Sequence, residues 1–215
     1  MSRLVILRPR PGAEATVARA REAGMDALAI PLFEIAPVEW IAPDTADYDA
    51  LLLTSANAVR HGGAGLPALR GLKAYCVGEA TAAAAQAAGF TVAGIGASDA
   101  AALMESVPRG LRLLHLAGRN HRTLPGVSTI IVYDSVAIDP PPVFDALVGG
   151  VAMVHSPRAG MRLAELIEQR GDIAIAAISP AAAAACGGGW REIEAVAEPT
   201  DSALLALAAA LCQKR

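Results

Sequence analysis

A chain of 215 residues can form one large domain or two small ones, and its 54% hydrophobic content against 18% charged residues excludes an intrinsically disordered protein. With 4% aromatic residues, a net charge of −3 and arginines scattered along its length, it lacks the stacking platforms and the concentrated basic face that nucleic acid demands. Cys76, Cys186 and Cys212 are odd in number, widely spaced and without a Cys-x-x-Cys pair, so buried reduced thiols are expected; His61, His115, His121 and His155 show no helical pairing with a nearby carboxylate, so no metal site is expected.

Leu4 to Leu7 is too short an apolar segment for a signal peptide, and Arg8-Pro9-Arg10 ends it at once. Later apolar runs are broken by Gly, Pro or charge well before the roughly 20 residues of a spanning helix. The expectation is therefore a soluble, cytoplasmic protein that does not engage a membrane. After the first strand, Glu14 to Glu22 reads as a surface helix that carries charge on one face, with Val17, Ala18 and Ala20 nearby and Gly24 as its stop. The segment Pro31-Leu32-Phe33-Glu34-Ile35-Ala36-Pro37 follows. The continuously apolar Ala50 to Leu53 then predicts a strand buried on both faces.

From this point the sequence repeats itself. The run Leu52-Leu53-Thr54-Ser55-Ala56-Asn57-Ala58 corresponds to Val154-His155-Ser156-Pro157-Arg158-Ala159, and Val77-Gly78-Glu79-Ala80-Thr81 to Ile178-Ser179-Pro180-Ala181-Ala182. Ser55 and Ser156, like Gly78 and Ser179, lie 101 positions apart. Each copy continues through an Ala-rich helix, a glycine, a short strand, a second cap (Ser98-Asp99 or Thr200-Asp201) and a final Ala/Leu helix. The openings match too, Leu4 to Leu7 with Leu111 to Leu116, and Pro31 to Pro37 with Val132-Tyr133-Asp134-Ser135-Val136-Ala137-Ile138-Asp139-Pro140. Strands alternating with helices in this way predict right-handed βαβ units and parallel sheets, covered on both faces.

The strand-to-helix turns are the candidate binding elements. Ser156-Pro157 and Ser179-Pro180 each place a hydroxyl at a helix N-cap and proline at the first helical position. Thr54-Ser55 and Gly78-Glu79-Ala80-Thr81 occupy the matching turns. Such turns gather at the carboxyl ends of the strands, where their unpaired N–H groups attract carboxylates or phosphates. Two lobes carrying several of them could hold a polyanion without a basic patch, although each hydroxyl taken singly is also accounted for as a helix cap.

The chain resembles the uroporphyrinogen-III synthase family along essentially its whole length. The resemblance is carried by Leu7-Arg8-Pro9, Pro31-Leu32-Phe33-Glu34-Ile35, Leu53-Thr54-Ser55-Ala56-Asn57-Ala58-Val59, Val77-Gly78-Glu79-Ala80-Thr81, Val132-Tyr133-Asp134-Ser135-Val136, His155-Ser156-Pro157-Arg158-Ala159-Gly160, Ile178-Ser179-Pro180 and Glu198-Pro199-Thr200. It implies an α/β fold of two similar parallel-sheet, flavodoxin-like domains joined by a two-stranded β connector. Residues 1–36 with 141–215 would form a discontinuous domain, and residues 37–140 an inserted one with the connector strands at its ends. It implies a cofactor-free, carbon–oxygen lyase of haem biosynthesis, which cyclises hydroxymethylbilane with loss of water and inversion of ring D; a monomer is the default expectation.

The same resemblance makes Tyr133 the catalytic candidate, assisting departure of the substrate hydroxyl. It makes Arg8, Thr54, Ser55, Gly78, Thr81, Ser156, Ser179 and Ala181 the substrate-binding candidates. The sequence departs from the family pattern at Ser179-Pro180-Ala181-Ala182, where relatives more often carry a threonine; recognition at that turn would then fall to main-chain donors.

Three rival readings meet objections in the sequence. Gly94-Ile95-Gly96 begins a dinucleotide-like string but has Asp99 where the third glycine belongs. His155 and Ser156 adjoin on a strand and so face opposite ways, against a serine hydrolase. A non-catalytic two-lobed module binding an anion or tetrapyrrole stays open, though no output domain accompanies it.

Overall fold

The computed structural model describes residues 2–96 and 100–214. The second cap expected at Ser98-Asp99 lies outside the described residues. In chain order the elements are β1 (Leu4–Ile6), α1 (Gly12–Glu22), β2 (Ala27–Ala29), β3 (Phe33–Pro37), β4 (Ala50–Leu53), α2 (Ala56–Arg60), β5 (Lys73–Val77), α3 (Glu79–Ala87), β6 (Val92–Gly96), α4 (Ala100–Ser106), β7 (Leu113–Gly118), β8 (Ser128–Ala137), β9 (Val151–Val154), α5 (Pro157–Leu166), β10 (Ala174–Ala177), α6 (Pro180–Ala185), β11 (Glu192–Ala195) and α7 (Asp201–Gln213). The chain divides into two compact units, one of residues 1–34 with 136–215 and the other of residues 35–135.

The first unit holds a five-stranded sheet in the order β11-β10-β9-β1-β2. Its strands are parallel, with Leu4 opposite both Ala27 and Val151. Side chains alternate across this sheet, and both faces are buried. Leu4, Ile6, Val151 and Met153 pack on one face with Leu204, Ala208 and Leu211 of α7; Val5, Ala152, Val154 and Ile175 pack on the other with Leu163 and Trp190. Each leucine so enclosed contributes about 1.5–3 kcal/mol relative to exposure. α1 turns Ala13, Thr16, Val17 and Ala20 inward at helical spacing, with Glu14 in its first turn and Arg19 and Arg21 in its last to complement the helix dipole.

The second unit is built on the sheet β3-β8-β7-β4-β5-β6. Leu51, Leu53, Leu114 and Leu116 face one cluster, while Ala50, Leu52 and Leu113 face a smaller one with Leu103 and Val107. The two strands through which the chain passes from one unit to the other, β3 and β8, lie side by side. At their ends, Val38 N–H, just after β3, donates to Val132 O of β8, and Ile138 N–H, just after β8, to Leu32 O, each at 3.1 Å.

The Ala-rich helices permit close approach where a larger residue would not fit. Gly160 of α5 lies so near α6 that a Cβ there would sit 2.8 Å from Ala182 O and 2.9 Å from Cys186 Sγ. Gly160→Ala is therefore expected to destabilise by about 1–3 kcal/mol through overpacking. That corresponds to a Tm lowered by about 3–10 °C for a protein of this size, measurable by calorimetry. Gly71→Ala, where an added Cβ meets nothing within 4 Å, is the control and should leave Tm in place.

Candidate active site

In the second unit the chain runs from β4 outward through β5 to β6, then crosses back to place β7 and β8 on the other side of β4. The connections leaving β4 and β7 therefore depart in opposite directions along the sheet, and the crevice between the carboxyl ends of these strands is where open α/β sheets bind ligands. A cavity of about 220 Å³ lies there. Thr54 and Ser55 line it from the end of β4, His115 and Gly118 from β7, Asn120, His121, Arg122 and Leu124 from the following connection, and Tyr133 from β8. The described lining holds no carboxylate and offers hydroxyl, imidazole, amide and guanidinium groups.

His115 is 1% exposed, inside a strand otherwise made of Leu113, Leu114, Leu116, Ala117 and Gly118. Its Nε2 lies 2.9 Å from Thr54 Oγ1, and its buried Nδ1 has no hydrogen-bond partner. The His121 ring meets it edge-on at 5.7 Å and is held by its own Nδ1, 3.0 Å from Gly118 O. A carbonyl only accepts, so His121 carries its proton on Nδ1. Burial first, and the nearby His121 second, depress the pKa of His115 from 6.5 to about 4.

Tyr133 owes its place to a register shift. Leu114 pairs with Ser128 and Ala117 with Ile131, but Gly118 pairs with Tyr133, so that Val132 is passed over and stays buried. Such irregularities re-aim a side chain beside a site. The tyrosine ring then lies over Gly118, where a Cβ would come within 2.5 Å of its Cε2 and Cζ. Any other residue at position 118 would displace the ring.

The first unit has the same reversal, between β1 and β9, but ionic groups occupy it. Asp201, at the start of α7, accepts from Arg8 Nη1 at 3.0 Å, from His155 Nε2 at 3.0 Å and from Thr16 Oγ1 at 3.2 Å, and pairs with Arg19. Burial alone would raise the Asp201 pKa, but the hydrogen bonds from His155 and Arg19 and the charge of Arg8 outweigh it and hold the carboxyl well below the usual range. Arg8, expected as a contact for substrate, thus has an internal carboxylate partner.

The other candidates are placed as follows. Ser55, Ser156 and Ser179 are N-caps, their Oγ atoms accepting from the N–H of Asn57, Ala159 and Ala182 at 3.2, 3.1 and 3.2 Å. The hydroxyl of Ser156 serves its own helix while His155 reaches Asp201, so the two form no nucleophile–base pair. Gly78 is the N-cap of α3 with φ +77°. Thr81 lies in the first turn of α3 at 5% exposure, turned into the core, and Ala181 is exposed on α6. Of the candidates, Thr54, Ser55 and Tyr133 share one cavity.

A family model described as "Uroporphyrinogen-III synthase HemD" matches residues 14–206. The chain belongs to the uroporphyrinogen-III synthase family. Among solved structures, uroporphyrinogen-III synthetase from Helicobacter pylori superposes with a TM-score of 0.66 at 17% identity, over 98% of this chain and 100% of that one. Uroporphyrinogen III synthase from Thermus thermophilus matches with a TM-score of 0.41 at 19% identity, over 98% of each chain. At such identity the Helicobacter structure supports the two-sheet α/β fold. None of the curated protein sequences matches this chain. The family acts on a tetrapyrrole in haem synthesis, and the match over most of the chain does not favour the non-catalytic module.

Sequence reasoning passed over His115, His121 and Gly118. One signal was available for His115, a polar residue inside a run that otherwise reads as a strand buried on both faces. Its depressed pKa has a consequence for stability. Above pH 6.5 the ring is neutral in both folded and unfolded chains; below it the unfolded chain binds a proton that the folded one accepts only near pH 4. Stability is thus full above 6.5 and drains as pH falls, by about 2 kcal/mol at pH 5 from this ring. Urea unfolding at pH 7.5 and pH 5.0 should show His115→Phe losing about 2 kcal/mol less than the unsubstituted protein on acidification; equal losses would mean that the ring titrates normally.

Proposed function

We propose that this chain is the cytoplasmic, monomeric and cofactor-free synthase that closes hydroxymethylbilane into uroporphyrinogen III. The observation carrying this beyond family membership is the carboxylate-free lining of the cavity among the described residues, where Thr54, Ser55 and Tyr133 bring uncharged hydroxyls beside Arg122. An acid-rich tetrapyrrole meets no like charge there. A cavity of about 220 Å³ has room for part of such a substrate, and the donor turns ending at Ser156 and Ser179 in the first unit are the proposed contacts for other carboxylates.

The reaction asks the protein chiefly to fix a conformation. Loss of the substrate hydroxyl as water leaves an electrophilic azafulvene, and the terminal pyrrole attacks it through its substituted carbon to give a spiro intermediate. Fragmentation and reclosure of that intermediate invert ring D. Closure without conformational control yields the uninverted isomer, so orientation is the larger part of the catalysis. Tyr133 is the proposed donor to the departing hydroxyl.

The test supplies freshly made hydroxymethylbilane and separates the oxidised products by isomer. Isomer III is expected from the protein, and isomer I alone would reject the synthase reading. Tyr133→Phe, which keeps the ring over Gly118, should lower kcat by about 100-fold with little change in the unfolding midpoint. Full turnover by this variant would remove Tyr133 from the chemistry.

A further inference from the structure

His115 combines three observations that the family reading leaves unused. The residue lines the cavity from β7 with its ring almost wholly enclosed, one nitrogen is 2.9 Å from the Thr54 hydroxyl, and the other is buried without a partner. A threonine hydroxyl has a single proton, so the direction of the His115–Thr54 bond decides what Thr54 shows to a ligand. If Thr54 donates to Nε2, the ring proton sits on Nδ1 as a buried N–H with no acceptor, and Thr54 faces the cavity with lone pairs alone. A carboxylate would be repelled by that arrangement.

The opposite direction removes both faults. With the proton on Nε2, the ring donates to Thr54 Oγ1 and the atom without a partner is a bare Nδ1; buried N–H groups are the rarer orphans. The hydroxyl proton of Thr54 is then free to enter the cavity, where an ionised acceptor makes the stronger class of hydrogen bond. The same pattern occurs at His155, whose carboxylate partner obliges Nε2 to donate and whose buried Nδ1 is likewise without a partner.

We propose that His115 is a positioning residue for substrate, its Nε2–H donating to Thr54 Oγ1 so that the Thr54 hydroxyl is held as a donor to one carboxylate of the tetrapyrrole. This rests on the synthase reading above and assigns a role within that site. His115 touches no reacting atom; it fixes the polarity of a group that binds substrate. The effect should therefore fall on substrate affinity rather than on the chemical step.

Two measurements test it. Long-range ¹H–¹⁵N NMR correlations on ring-labelled protein should place the His115 proton on Nε2, and a proton on Nδ1 would overturn the proposal. In the isomer assay, His115→Phe should raise KM about tenfold with kcat within about twofold, the loss expected for one hydrogen bond to a charged group. His115→Gln, whose amide N–H reaches near the Nε2 position, should stay within about threefold of the original KM. Thr54→Val should match His115→Phe, and the two combined should add nothing further. A KM unmoved by His115→Phe, or raised equally by the Phe and Gln variants, would reduce His115 to a packing residue. A protein that makes no isomer III at all sinks the synthase reading, whereas one that makes it with His115 protonated on Nδ1 sinks only this proposal.

Discussion

Parallel strands cannot be joined by tight turns, so each crossover must carry the chain back over a face of the sheet, and both faces become buried. In each unit this constraint acts on short strands: Leu4 to Ile6 and Val151 to Val154 in one, Ala50 to Leu53 and Leu113 to Gly118 in the other. Once the faces are closed by helices, the exposed chemistry is forced to the strand ends. The point where the crossovers change direction leaves a crevice there, and both units place polar side chains at it.

The two crevices correspond closely. Val151 pairs with Leu4 as Ala50 pairs with Leu113, so His155 and Thr54 take matching positions after the central strands. Their surroundings differ. In the first unit the carboxylate of Asp201 draws in Arg8, Arg19, Thr16 and His155, and the charges of that cluster are met within it. In the second unit the cavity lined by Thr54, His115 and Tyr133 contains no such carboxylate among the described residues. An arrangement that satisfies itself stabilises; one that leaves donors facing a cavity is available to a ligand. Repetition in the sequence thus produced a structural ionic cluster in one unit and a candidate catalytic cavity in the other.

Much of this was legible before any coordinates. The serine–proline turns at Ser156 and Ser179 announced N-caps because only a few residues both accept from the first-turn amides and tolerate proline behind them, and both caps formed as read. Arg8 was legible as a candidate contact for substrate but not as the partner of Asp201, since nothing local connects positions 193 residues apart. Thr81 has a hydroxyl in the right turn, yet the helix phase carries it into the core. His115 looked like one of four scattered histidines because its meaning depends on Thr54 standing just past the end of the neighbouring strand.

By itself the sequence determined the local grammar of this protein: the unbroken apolar strands, the capped helices, the doubled pattern and the motifs that resemble one family. These follow from interactions within a few residues, or from periodicity, and so are written in linear order. Only the tertiary structure decided which capped turns share a cavity, how Arg8 is occupied, and that passing over Val132 brings Tyr133 onto Gly118. The reason is that register and strand order are settled by the global packing of two-sided sheets, and a one-residue shift, invisible in composition or spacing, changes which face a side chain meets.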